Sequence, residues 1–128
     1  MKKLSYWLTS FCCLFWLTSE AQLAGTKWKG TIKTSEEHQV IWVFDKDTTR
    51  VIFPDRSEDT EVMLYKDDKD KKQISITKIS GTSPCTSNDI GIYSYSITPE
   101  GLKIEVVQDP CTERANAILS VPFTRLTP

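Results

Sequence analysis

The sequence predicts an all-β fold: an eight-stranded antiparallel up-and-down barrel with one disulfide. Short runs rich in β-branched and aromatic residues alternate between apolar and polar positions with a period of two, as half-buried strands do. Short polar turns connect most of these runs to their sequence neighbours, and a meander of this kind hides its edges by closing into a barrel. Two cysteines, in the longer connections of the second half, are available to link them.

Residues 1–21 have the features of a signal peptide that is removed on export. Lysines precede an uncharged apolar run over residues 4–17, and small side chains at Ser19 and Ala21 match the pattern that signal peptidase cleaves. The run is shorter than the roughly 20 residues that a membrane-crossing helix needs, which disfavours the alternative of a retained anchor. We therefore expect one barrel domain over residues 22–128, without a transmembrane span, in a secreted or periplasmic location.

Cys85 and Cys111 are the two cysteines of the predicted domain. In an oxidising compartment we expect them to form one disulfide, with two free thiols or a partial metal site as the alternative. We predict no metal site, because the local ligand pairs that zinc sites use are missing.

The charge pattern and the motifs exclude several classes of function. The net charge of −1 is spread over interspersed acidic and basic residues, without the basic excess of a nucleic-acid surface. No nucleophile motif, glycine-rich phosphate loop or paired-histidine motif occurs in the sequence. We therefore predict no catalytic residues, no cofactor, no nucleic-acid partner and no enzymatic activity.

The eight strands are predicted from the alternation, and each ends near turn-forming residues. Pro122 falls inside the last run, so that strand is expected to be bulged or bonded on one side. The predicted strands cover about 26–34, 39–44, 48–53, 60–65, 73–79, 90–98, 102–108 and 118–126. The residues in phase on the predicted inner faces are, in chain order, Trp28, Gly30, Ile32, Val40, Trp42, Phe44, Val51, Phe53, Val62, Leu64, Ile74, Ile76, Tyr93, Tyr95, Ile97, Ile104, Val106, Leu119, Val121, Phe123 and Arg125.

The two longer connections cover residues 81–89 and 109–117, and each contains a proline followed by a cysteine. A single helical turn is compatible with the second connection. Arg114 is expected either to cap that turn or to pair with Asp109, with anion binding as the alternative. His38, in a polar stretch, is expected to be a solvated loop residue.

The first and last predicted strands carry a resemblance to a known group. Residues 25–30 include Trp28, and residues 123–125 read Phe-Thr-Arg; both segments resemble the lipocalin and wider calycin group. In that group a basic side chain from the last strand lies across a tryptophan of the first, which assigns barrel closure to Trp28 and Arg125. Such a cation–π contact is worth up to about 2 kcal/mol. Residues 91–96 and 109–114 further resemble small lipocalin-like proteins that bacteria export.

The inner aromatic residues suggest a binding site for a small hydrophobic ligand. An apolar pocket with a few polar groups is typical of such sites, and tyrosine hydroxyls would orient the ligand. The alternative is a filled core in which these hydroxyls satisfy each other or the backbone. The predicted ligand-binding residues are Trp42, Phe44, Tyr93, Tyr95 and Phe123.

We therefore predict an exported lipocalin-like binding protein for a small hydrophobic ligand. The alternative is a packed barrel without a ligand cavity that acts as a protein-interaction or envelope-associated module, with another protein or a second copy as its partner. Apolar residues on the predicted outer faces motivate it, since a contiguous exposed patch often marks an interface. These outer residues are Ile41, Val43, Ile92 and Val107.

Overall fold

A computed structural model of the protein describes residues 22–118 and 121–127. The predicted signal peptide, residues 1–21, lies outside the described residues. The elements are β1 (Thr26–Lys33), β2 (Glu37–Phe44), β3 (Thr48–Ile52), a short 3-10 helix (Ser57–Asp59), β4 (Glu61–Asp68), β5 (Gln73–Ser80), β6 (Gly91–Thr98), β7 (Gly101–Gln108), α1 (Thr112–Ala117) and β8 (Thr124–Leu126).

All eight strands belong to one antiparallel sheet, with the order β7-β6-β5-β4-β3-β2-β1-β8. Each of β1 to β7 lies beside its sequence neighbours, and the chain returns at its end to pair β8 with β1. Between the two ends of the sheet, Leu102 and Phe123 exchange backbone hydrogen bonds of 2.9 and 2.8 Å. The barrel is therefore nearly closed, and the predicted all-β barrel with eight antiparallel strands and one disulfide is confirmed.

The last strand is much shorter than predicted. The alternation predicted a strand over 118–126, whereas β8 covers only Thr124–Leu126, with single bridges at Ile118 and Phe123. The helical turn that was compatible with the second connection forms as α1. Pro122, which has no backbone N–H, precedes the paired residues and limits how far the strand can extend.

Two predicted inner faces are also corrected. In β4, Met63 and Tyr65 point inward while Leu64 is half exposed, because the alternation there offered apolar residues to both faces and the larger Tyr65 ring occupies the interior. In β7, Val106 and Val107 are 42% and 52% exposed. A register shift between β6 and β7 near Ile92 introduces one extra residue, which interrupts the in–out alternation.

The interior is a single cluster of apolar and aromatic side chains from β1 to β7, from Leu23 before β1 and from the segment before β8. The Phe123 ring packs on Gly30, where a Cβ would overlap the ring atoms. A glycine at this point of β1 therefore lets the last segment of the chain approach the first strand closely. Among the described residues, no helix is long and apolar enough to cross a membrane.

Candidate functional site

The barrel has two unlike ends, and the first is filled by side chains. This filled end contains Trp28, Phe44, Tyr65, Leu102 and Phe123, all of which are buried. Phe44 lies edge-on to Tyr65, with a ring-centroid distance of 5.3 Å. The guanidinium carbon of Arg125 lies 5.7 Å from the Trp28 ring centroid, and backbone pairing places the two residues opposite each other. Arg125 itself is exposed, but directly paired residues point to the same face of a sheet, so its side chain lies on the face of Trp28 and covers the indole at this end of the barrel.

Buried hydroxyl groups satisfy the tryptophan N–H groups of the interior. Trp28 Nε1 donates to Thr26 Oγ1 over 2.7 Å, and Thr26 donates onward to the Leu23 carbonyl. Trp42 Nε1 donates to Thr49 Oγ1 over 2.6 Å, and Thr49 donates to a carbonyl of β2. A buried polar atom without a partner is costly, so these short chains of hydrogen bonds allow both indoles to be buried.

The five predicted ligand-binding residues are all buried, but they do not surround one space. Trp42 stacks on Phe44 with a centroid distance of 5.2 Å and meets Phe123 edge-on at 5.5 Å. Of the five, Trp42 alone lines the cavity described below. Phe44, Tyr93, Tyr95 and Phe123 contribute to the packed interior.

The hydroxyl groups of Tyr93 and Tyr95 bind carboxylates of the protein. Tyr93 donates to Asp109, and Tyr95 donates to Asp67 over 2.6 Å. Burial, followed by the hydrogen bond to Asp109, raises the pKa of Tyr93, and burial with the Asp67 bond raises the pKa of Tyr95. Both phenols therefore stay protonated at neutral pH and act as donors within the structure.

The other end, the cavity end, contains a space of about 580 Å³. It lies among the far ends of β1 to β5 and beneath the connections that the sequence analysis singled out. Such a volume falls within the roughly 300–1,000 Å³ of typical small-molecule sites. Its apolar wall includes Ile32, Trp42, Val51, Met63, Ile76 and Ala117.

A cross-linked cap forms the remaining wall of the cavity. The cap consists of residues 81–90 and 109–118, joined by the disulfide between Cys85 and Cys111. Their Cα atoms are 5.5 Å apart and their separation in sequence is 26 residues. Closing a loop of that size in the unfolded chain corresponds to about 3.5 kcal/mol in the chain-entropy model. The disulfide thus joins the segment that contains α1 to the loop of residues 81–90 over the cavity.

A polar cluster fastens the first half of the cap to the barrel wall. Lys78 Nζ lies 3.6 Å from Glu61 Oε1, and both side chains are largely buried. The backbone N–H and the hydroxyl of Ser83 donate to the same carboxylate, while Lys78 donates to the Ser83 carbonyl. Gly81 has a φ of +133°, and a Cβ there would overlap Glu61. Only glycine therefore allows this close approach of the cap to β4.

An ion pair organises the second half of the cap. Arg114 Nε and Nη2 donate to the two oxygens of Asp109 over 2.6 and 2.8 Å, so of the two roles expected from the sequence, capping the turn or pairing with Asp109, the structure shows the pairing. Asp109 also accepts from the Tyr93 hydroxyl and the Cys111 N–H. Burial raises the pKa of Asp109, but the hydrogen bonds from Arg114, Tyr93 and Cys111 outweigh it and leave the pKa below its usual value.

The rim of the cavity carries a second cation. Arg56 lies 3.4 Å from Asp59 and 6.0 Å from the Phe53 ring centroid. Its Nη2 also approaches the ring nitrogens of His38 at 3.1 and 3.3 Å. His38 is therefore a strand residue packed edge-on against Phe53, rather than the solvated loop residue that was expected.

Sequence reasoning missed most of the cavity wall. Met63, Ile76 and Ala117 line the space, but nothing in the alternation separates a cavity wall from a packed core. Arg114 was singled out by its spacing from the cysteine, and the structure places it in the wall. Within the described residues there is no group of histidine, cysteine or acidic side chains that could hold a metal ion.

Comparisons with known proteins returned no match, whether with protein-family models, curated protein sequences or solved structures.

Proposed function

We propose that this chain is an exported, non-enzymatic binding protein of the lipocalin-like type, which takes up a small apolar molecule. The observation that carries the proposal is the apolar cavity of about 580 Å³ at one end of the eight-stranded barrel. An eight-stranded barrel has an interior just wide enough to hold one small ligand. The bacterial, extracytoplasmic setting is part of the proposal and rests on the resemblance and on the N-terminal sequence.

The architecture supports binding more than it supports chemistry. The exposed surface of the cavity is mostly apolar, and polar or charged side chains from the cap, from the end of β1 and from the segment leading into β4 also line it, as polar groups do in small-molecule sites. The disulfide and the Glu61 cluster fix the cap in place, so little of the binding free energy is spent on ordering the site.

The test is titration of the mature protein with the neutral apolar dye N-phenylnaphthylamine, followed by its fluorescence. We expect saturable binding with one dye per chain. In the variant Ala117→Phe the added ring enters the cavity, and binding should weaken by about tenfold or more. Ala115→Phe is the matched control, because Ala115 lies on the same helix but does not line the cavity.

The outcome that contradicts the proposal is equal dye binding by the two phenylalanine variants, or no saturable binding by the wild type. Native mass spectrometry of protein purified from its own host adds the identity of a co-purifying cargo. N-terminal sequencing of the exported protein tests the predicted cleavage, and we expect it to begin at Gln22.

A protein-interaction module is the second candidate, and exposed apolar residues on β7 favour it. Val106 and Val107 are adjacent and exposed, on a strand that, among the described residues, meets the last segment of the chain through the bridge between Leu102 and Phe123. Of the predicted outer residues, Val43 is buried instead; it pairs with Lys27 of β1 and Arg50 of β3, whose side chains flank it on the same face of the sheet. Val107→Lys should abolish an association seen in sedimentation if this face binds a protein or a second copy.

A further inference from the structure

The cavity wall includes exposed polar side chains from the β1–β2 turn and from α1. Residues 33–35, at the end of β1 and in the turn that follows, are all exposed and line the cavity. From α1, Glu113 and Asn116 are exposed and line the same space. These side chains form the mouth of the cavity, where solvent and an entering molecule can reach them, in contrast to the buried strand residues of the wall.

The polar residues of α1 occupy positions where a helix usually carries apolar side chains. Glu113, Asn116 and Ala117 have the spacing i, i+3 and i+4, which places them on one face of the helix, and in a surface helix the face toward the protein is normally apolar. Here that face borders the cavity, and none of the described residues of α1 is buried. Glu113 and Asn116 therefore contribute no core packing, and a polar part of a ligand is the partner that fits this face.

Ion pairing divides the charged residues of the cavity wall into two groups. In the described part of the chain six charged residues line the cavity, and four of them have counter-ions, through the pairs Arg56–Asp59, Glu61–Lys78 and Arg114–Asp109. Lys33 and Glu113 form no ion pair with any described residue. The Glu113 carboxylate accepts a hydrogen bond from the Thr112 hydroxyl over 3.3 Å, which leaves its negative charge uncompensated. The mouth thus presents one positive and one negative charge, both exposed.

These two charges distinguish between kinds of ligand. A ligand that is apolar throughout would cover Lys33 and Glu113 without replacing their hydration, and desolvating an unpaired charge is costly. A ligand with a single charge would pair with one of the two residues and leave the other unpaired. A polar end that carries both signs supplies a counter-ion to each residue and stays at the mouth, while the apolar remainder enters the cavity.

We infer that the cavity takes a single-chain amphiphile with a zwitterionic polar end, whose anionic group pairs with Lys33 and whose cationic group pairs with Glu113. The inference rests on the proposed function and specifies its ligand class. The other rim charges, Arg56 and Asp59, neutralise each other and favour neither sign.

The experiment titrates the mature protein by calorimetry with three amphiphiles that share a decyl chain, each below its micelle concentration and at low ionic strength. They are decylphosphocholine, which is zwitterionic, decyl sulfate, which is anionic, and decyltrimethylammonium, which is cationic. Because exposed ion pairs contribute modestly, we expect the zwitterion to bind about threefold more tightly than either ion. In about 1 M salt the preference should disappear, since the Debye length falls to about 3 Å.

Two substitutions assign the two charges. Lys33→Gln should weaken binding of the zwitterion and the anion by about threefold and leave the cation no weaker, whereas Glu113→Gln should weaken the zwitterion and the cation and leave the anion no weaker. Both side chains are exposed, so both variants should fold. Lys29→Gln and Glu105→Gln are the matched controls, because these residues are exposed but do not line the cavity, and they should bind all three amphiphiles as the wild type does.

The outcomes separate the two proposals. Saturable dye binding by a wild type that binds the zwitterion no more tightly than the anion or the cation, or whose preference survives in both cavity variants, overturns this inference and leaves the proposed function standing. Absence of binding by the dye and by all three amphiphiles overturns both.

Discussion

The two ends of the barrel are built from the same strands, but one is packed with side chains and the other encloses a cavity. At the filled end, aromatic rings pack against one another, and the indole N–H of Trp28 has a hydroxyl partner inside the protein. At the cavity end, apolar side chains of the strands enclose a space of about 580 Å³, and a disulfide-linked cap covers it. The filled end therefore supplies packing energy, while the cavity end depends on cross-links and ion pairs.

This difference shows how a small domain can hold a cavity and still be stable. A barrel of this size has a modest core, so a cavity removes packing that it needs. The cap compensates with bonds that do not fill space: the disulfide, the Glu61–Lys78 pair and the Arg114–Asp109 pair. Substitutions at the filled end should therefore change stability alone, and substitutions in the cap should change both stability and binding.

The largest expected effect lies at the filled end. Trp28→Ala removes a fully buried indole and should lower the free energy of unfolding by about 3–5 kcal/mol, measured by chemical denaturation. Dye affinity of the folded fraction should stay within about twofold, because Trp28 does not line the cavity. Ile118→Ala, on the partly buried cavity wall, is the comparison and should cost about 1 kcal/mol. Equal losses for the two variants would contradict the distinction between the ends.

Loss of the disulfide is the next largest effect. The double variant Cys85→Ala/Cys111→Ala should unfold at lower denaturant concentration, with a loss of about 3.5 kcal/mol in the chain-entropy model. The dye should also bind more weakly, because the cap contributes part of the cavity wall. Reduction of the wild type provides a control that needs no substitution. If the variant keeps full dye affinity, then the cap is held by its ion pairs and not by the disulfide.

The strands were predicted better than the cavity and its cap. The strands with strict alternation, such as β5 and β6, were placed with the correct residues inside, since burial of one face fixes the register of each residue. In β4 apolar residues occur on both faces of the strand, so the alternation did not indicate that the face with Tyr65 is the buried one. The ion pair between Arg114 and Asp109 could be predicted because the two residues are only five apart in the sequence.

The Glu61 cluster shows what sequence reasoning could not reach. Glu61 and Ser83 are 22 residues apart and come from different parts of the barrel. Their meeting depends on the register of β4 against β5 and on the turn at Gly81, which no local pattern specifies. The cavity could not be predicted for the same reason, because it depends on where the cap packs against the ends of the strands.

Acid should affect the cavity end through Asp109. Its pKa is lower in the folded protein than its ordinary value of 3.8, so its stabilising contribution is complete above that pH and is lost as the pH falls through the folded pKa. Asp109→Asn should cost about 3 kcal/mol at neutral pH, because it leaves the buried Arg114 without its counter-ion.

The difference in unfolding free energy between wild type and Asp109→Asn should narrow below about pH 4, where this carboxylate becomes protonated in the unfolded chain while it stays ionised in the folded protein. Denaturation curves from pH 7 down to about pH 3 measure this difference. Asp70→Asn, in the exposed turn between β4 and β5, is the matched control and should match the wild type throughout. A difference that stays constant with pH would show that Asp109 is not the titrating group.

The smallest expected effect tests the contact that covers the filled end. Arg125 lies over the Trp28 ring but is exposed, so the cation–π contact should contribute only about 0.5–1 kcal/mol. A double-mutant cycle with Arg125→Gln and Trp28→Phe isolates that coupling energy from the loss of packing. Arg50→Gln, which removes an exposed ion pair with Asp45, is the control and should show no coupling to Trp28. A coupling of zero for Arg125 would mean that ring packing and the Thr26 hydrogen bond hold the filled end, and that the arginine only shields the indole from water.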